Sequence, residues 1–125
     1  MISHELSRSQ DTTVQGYSRA FSNIAQSQVD APIIAAKLDV KYRVIAFHVQ
    51  TGGVATNINF NSKPAGVGVA ISMIYQNAIN GGSVPGYNPA GWFETEFGEG
   101  LTATTGGGST TGVQVVYTEI RSQGA

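Results

Sequence analysis

Side chains able to do chemistry are few in this sequence, and they do not converge on a reaction. There are two histidines, His4 near the start and His48 inside a β-rich run. No Ser, His and Asp pattern assembles a nucleophilic triad. His48 shares its strand face with apolar residues, which suits packing or an interface better than a catalytic base. The chain has no cysteine, and two separated histidines do not make a zinc site. Glu94, Glu96 and Glu99 form the one acidic cluster. Carboxylates at that spacing can meet a Ca²⁺ or Mg²⁺ ion, but a solvated acidic edge is the simpler account. Glycoside hydrolysis would need an opposed pair across a cleft, which nothing in the pattern requires. The run Gly106-Gly107-Gly108-Ser109-Thr110-Thr111-Gly112 lacks the lysine and following helix of a phosphate loop and reads as a flexible hairpin loop. Lys37, Lys41 and Arg43 lie beside Asp39 as a small basic group, read as a solvated or interface face. Tyr87 and Trp92 flank Pro89 and Gly91 and could offer a sugar an aromatic platform, although covering a core or filling an interface pocket is the commoner use. The chain is expected to be non-enzymatic, with no cofactor and no metal.

The elements that would position these residues are strands. Gly is abundant, at 16 residues, among Val, Thr, Ile and Asn, and no window holds an i, i+3, i+4, i+7 apolar pattern between caps. Ile33 to Leu38 is a brief apolar run. Residues 40–49 are strongly β in propensity, with one face that begins charged and becomes apolar. Val54, Thr56, Ile58 and Phe60 alternate with polar neighbours, and Val67 to Gln76 alternates again. Asn80-Gly81-Gly82 is a hairpin-grade turn, 83–88 an extended stretch, 101–105 a Thr-rich strand, and Val113 to Ile120 the last strand. Seven or eight short antiparallel strands with regular breaks predict an all-β sandwich or jelly roll over residues 31–125. Residues 1–30 are rich in Ser and Gln and read as an extended N-terminal arm, although Tyr17, Phe21 and Ile24 are spaced to suit one short helical turn.

Composition narrows the function further. Charged residues make up 12% of the chain, about half the usual ~25%, and the net charge is -1. No basic field exists to hold a phosphate backbone, so nucleic acid is not an expected partner. The start lacks the pattern of a signal peptide and no run is long enough to cross a membrane, which points to a soluble protein made in the cytoplasm. A β region this small, without disulfides, gains stability most readily from neighbours, and a closed oligomer also covers edge strands.

The order of segments also resembles a known group. Lys41-Tyr42-Arg43-Val44-Ile45 leads a strand, a Thr/Asn strand ends in Phe60, and Asn80-Gly81-Gly82 precedes the block Tyr87-Asn88-Pro89-Ala90-Gly91-Trp92-Phe93-Glu94-Thr95, followed by Gly98-Glu99-Gly100-Leu101. This is similar to small tailed-bacteriophage virion proteins of the head decoration (cement) type, over residues 33–120. The resemblance implies a homotrimer on the outer head that clamps neighbouring major capsid subunits. Tyr17, Phe21 and Ile24 would then anchor the arm on its partner, and Tyr87, Trp92 and Phe93 would serve inter-subunit or core packing. A receptor- or glycan-binding module of a head or tail fibre, and a tail or connector protein, are the alternatives.

Overall fold

The structure is a computed structural model and describes residues 16–122. The expectations placed on His4 and on the first fifteen residues of the arm lie outside the described residues. Alternating apolar positions produce ten strands and no helix among those described. They are β1 (Tyr17–Ile24), β2 (Ala31–Ile34), β3 (Val40–Thr51), β4 (Thr56–Lys63), β5 (Val69–Ala70), β6 (Tyr75–Asn77), β7 (Gly82–Ser83), β8 (Phe93–Glu94), β9 (Gly100–Gly106) and β10 (Thr111–Arg121).

All pairings are antiparallel. One sheet (A) runs β1-β10-β3, with β7 and β8 both on the far edge of β3. The other (B) runs β2-β9-β4, with β5 and β6 both on the far edge of β4. Each edge pair acts as one interrupted strand, so the two sheets hold eight strand positions. The chain changes sheet at almost every connection, from β1 in A to β2 in B, then β3, β4 to β6, β7 to β8, β9 and β10. That path is a jelly roll, the all-β sandwich expected.

The inner faces meet in one core. Phe47 from sheet A lies edge-on to Phe60 from sheet B, with ring centroids 5.3 Å apart. Phe93 stacks on Phe60 at 4.8 Å. Val44, Val49, Ile58, Leu101 and Val115 close around them with no measurable exposure.

The mixed faces of residues 40–49 have a cause. Tyr117 pairs with Val44 and Val116 with Ala46, which leaves Ile45 as an extra residue in a β-bulge. Val40, Tyr42 and Val44 point inward before the bulge, and Phe47, Val49 and Thr51 after it. His48 is thereby turned to the outer face of sheet A and is exposed, which corrects the packed half of the packed-or-interface expectation.

Four further expectations are corrected. The arm does not extend to residue 30, because Tyr17 to Ile24 pairs with Thr118 to Thr111 throughout. The helical-turn alternative for Tyr17, Phe21 and Ile24 fails for the same reason. Val67 to Gln76 is not one strand: the Ser72 hydroxyl accepts the Phe60 N–H at 2.9 Å, taking the place of a ladder carbonyl between β5 and β6. The turns at 80–82 and 106–112 are sheet-to-sheet corners, since β6 and β7, and likewise β9 and β10, belong to different sheets.

Candidate functional site

Residues 85–98 lace along the outer edge of β3. Asn88 N–H donates to Ile45 O at 2.8 Å, Trp92 N–H to Val44 O at 2.8 Å, Thr95 N–H to Tyr42 O at 3.0 Å and Gly98 N–H to Val40 O at 2.9 Å. Gly91 makes this approach possible. Its φ is +91°, and a Cβ there would sit 2.5 Å from Arg43 Cγ. Within the block, Glu94 accepts from Lys41 Nζ and from Arg43 Nε at 2.9 Å. The Lys41 hydrogen bond, opposed by desolvation and reinforced by Arg43, holds the Glu94 carboxyl below its ordinary value. Glu99 accepts from the Ser62 hydroxyl, while Glu96 is exposed. Glu94 and Glu99 are thus tied to different neighbours, and no group of His, Asp and Glu able to hold a metal occurs among the described residues. The basic group divides in the same way, with Lys37 paired to Glu119 at 3.0 Å and Lys41 and Arg43 on Glu94.

The six residues singled out in the sequence separate into three environments. Ile24 is 2% exposed and Phe93 7%, so both belong to the core. Ile24 is therefore corrected from an arm anchor to a core residue, because β1 is a full member of sheet A. Phe93 serves core packing. Trp92 is partly exposed, donates Nε1–H to Gly86 O at 2.8 Å and lies edge-on to Phe47. Tyr17 and Tyr87 are exposed and join hydroxyl to hydroxyl at 2.6 Å. β10 and β3 lie between their elements, so this pair bridges the outer face of sheet A. Phe21 stands on that same face and is 75% exposed.

Two surfaces emerge that the residue-by-residue reading missed. Between Lys63 and Glu94 the chain contains no Asp, Glu, Lys or Arg. This stretch supplies the edge strands β5, β6 and β7 with their loops, bordered by Glu94 in β8 and by Lys63, whose Nζ donates to Pro64 O and Gly66 O. It nevertheless exposes Val67, Val69, Met73, Ile74 and Ile79 on its sheet-B half and Val84 and Tyr87 on its sheet-A half. The signal was present in the sequence as a long interval without charge.

The second surface is the outer face of sheet A. Register places Phe21 opposite Gln114 and Gln114 opposite His48, with Asn23, Gly112 and Gln50 in the next row. On the middle strands small residues flank the Gln114–His48 row, Gly112 on one side of it and Val116 and Ala46 on the other. Taller ones stand on β1 and on the 84–87 segment. The result is a trough made of two depressions of about 220 and 310 Å³ that share His48 and Gln114. In comparisons with known proteins, no family model, curated protein or solved structure matches the chain.

Proposed function

We propose that the chain is a non-enzymatic structural protein of a phage virion, a decoration protein that sits on the outer head as a homotrimer and holds neighbouring major capsid subunits together. The observation that supports this best is the uncharged side formed by residues 64–93. Monomeric proteins rarely leave so many apolar side chains together in water, and an interface depleted of charge is typical of permanent subunit contacts. A jelly roll with such a side is suited to packing on copies of itself. The resemblance of the block 87–101 to decoration proteins supplies the virion setting. Clamping works by multivalency: a trimer that touches several capsid subunits must release all of its contacts before they can separate.

The test is mass measurement of the purified protein, alone and then with empty capsids of the phage that carries it. A trimer that co-sediments with capsids and raises the temperature at which they open is the expected result. Removal of residues 1–15 is expected to preserve the trimer and weaken capsid binding. A monomer that ignores capsids would overturn the proposal.

A further inference from the structure

We infer that the trough on the outer face of sheet A is a binding site for a neutral oligosaccharide. The inference stands apart from the head-surface proposal, since it rests on a different surface and needs no capsid. It also differs from the Tyr87–Trp92 platform read from the sequence, whose polar atoms are bonded to Tyr17 and Gly86.

The chemistry of the lining selects the ligand. Asn23, His48 and Gln114 face the trough and make no side-chain hydrogen bond among the described residues. Their amides and imidazole can donate and accept at once, which is what neighbouring sugar hydroxyls require. Gln50 is held in place by donating Nε2–H to Asn80 O at 2.9 Å. Phe21, at the rim, offers an aromatic face for the apolar C–H face of a sugar ring. Neither depression is lined by Asp, Glu, Lys or Arg, so no fixed charge lies within them; Arg19 stands on the same outer face, opposite Val116, outside both linings. The lack of a fixed positive charge within either lining favours a neutral glycan over a nucleic acid or an acidic peptide.

Shape agrees with the chemistry. The 220 Å³ depression falls below the usual ligand-pocket range of ~300–1,000 Å³, and the 310 Å³ one lies at its lower end. Along β10 the two linings run from Gly112 to Val116, four steps or about 13 Å at ~3.3 Å per residue, which suits a short chain of sugars rather than one ring. The Tyr17–Tyr87 bridge closes one end. Gly112 forms the floor between Asn23 and Gln50, and a Cβ there would meet Asn23 Oδ1 at 3.3 Å.

The test is a printed array of bacterial surface glycans, neutral and acidic, followed by calorimetric titration of the best binders. Binding confined to neutral oligosaccharides is expected, with dissociation constants on the order of 0.1–1 mM for so open a site. Phe21→Ala and Gln114→Ala should each weaken it by about tenfold. Gly112→Val should abolish it by raising the floor, while unchanged thermal melting shows that the sheet has kept its fold. No glycan bound, a preference for acidic glycans, or binding untouched by these three changes would overturn the inference.

Discussion

Asp30 concentrates more of the fold's polar contacts than any acidic side chain singled out from the sequence. It lies between β1 and β2 with a φ of +55°, a conformation that a non-glycine residue holds only when its surroundings impose it. Its carboxylate accepts from Gly68 N–H at 2.9 Å, from the Thr102 hydroxyl at 2.9 Å and from Asn61 Nδ2–H at 3.1 Å. One side chain thus fastens the β1–β2 connection to β9, to β4 and to the loop before β5. Desolvation pushes its pKa upward, but the Gly68 and Thr102 hydrogen bonds, the Lys63 charge and Asn61 together outweigh it, and the net shift is downward from 3.8. Glu94 is likewise shifted downward from 4.5, chiefly by Lys41. A carboxyl whose folded pKa is depressed contributes stability that is complete above its unfolded pKa and is lost as pH falls through the folded value. Unfolding free energy is therefore expected to be level near neutrality and to decline below about pH 4.5. Asp30→Asn should lower stability at pH 7 by about 1–3 kcal/mol and make the acid decline shallower, as read by urea titration across pH. An unaltered acid limb in that variant would show that Asp30 is not its source.

At the scale of elements, β2 and β9 are pressed together at Gly100, the glycine that opens β9. A Cβ there would lie 2.5 Å from Ile34 O and 3.0 Å from Ala36 N, and both neighbours are backbone. Gly100→Ala must therefore move one strand, and a loss of about 1–3 kcal/mol in urea unfolding is expected, although alanine normally favours order over glycine. What was legible in the sequence follows the same logic of faces. β4 and β10 could be read because Ile58, Phe60, Val113, Val115 and Tyr117 point inward and polar residues alternate with them. β1 could not, because its tall residues Tyr17, Arg19, Phe21 and Asn23 face outward while Ser18, Ala20 and Ser22 face inward. Its apolar pattern is inverted, and the Tyr17, Phe21, Ile24 spacing imitates a helix. In β3 the Ile45 bulge shifts the phase halfway along, and residue order alone does not mark where. The jelly-roll path was legible only as a class, since a glycine turn looks alike whether it makes a hairpin or a corner between sheets. The trough was beyond reach for a related reason: Phe21, Gln114 and His48 become neighbours only through strand register.

For the whole molecule, the decisive contrast is between a stretch that carries no charged residue, 64–93, and the charged groups that border it. The Lys41–Arg43–Glu94 cluster borders residues 64–93 through Gly91 and β8, so copies packed through the β5–β6 edge rather than through 88–93 would leave its ion pairs in water. β5 and β6 are short edge strands on that side, and an unprotected sheet edge invites further association unless another subunit covers it. Val69 and Ile74 are exposed there, at 60% and 57%, and neither belongs to the core cluster. Replacing both with lysine should leave the isolated fold within about 0.5 kcal/mol per site, because nothing in the core is lost. Any contact between copies would instead have to desolvate several new positive charges. The expected result is a protein that sediments as a monomer, with the same circular dichroism spectrum as the parent. The parent's melting temperature should rise with protein concentration, as it must when folding is linked to assembly, and the variant's should not. If the doubly substituted protein still sediments as the parent does, the subunits meet through some other face. The apolar side would then remain a contact in search of a different occupant.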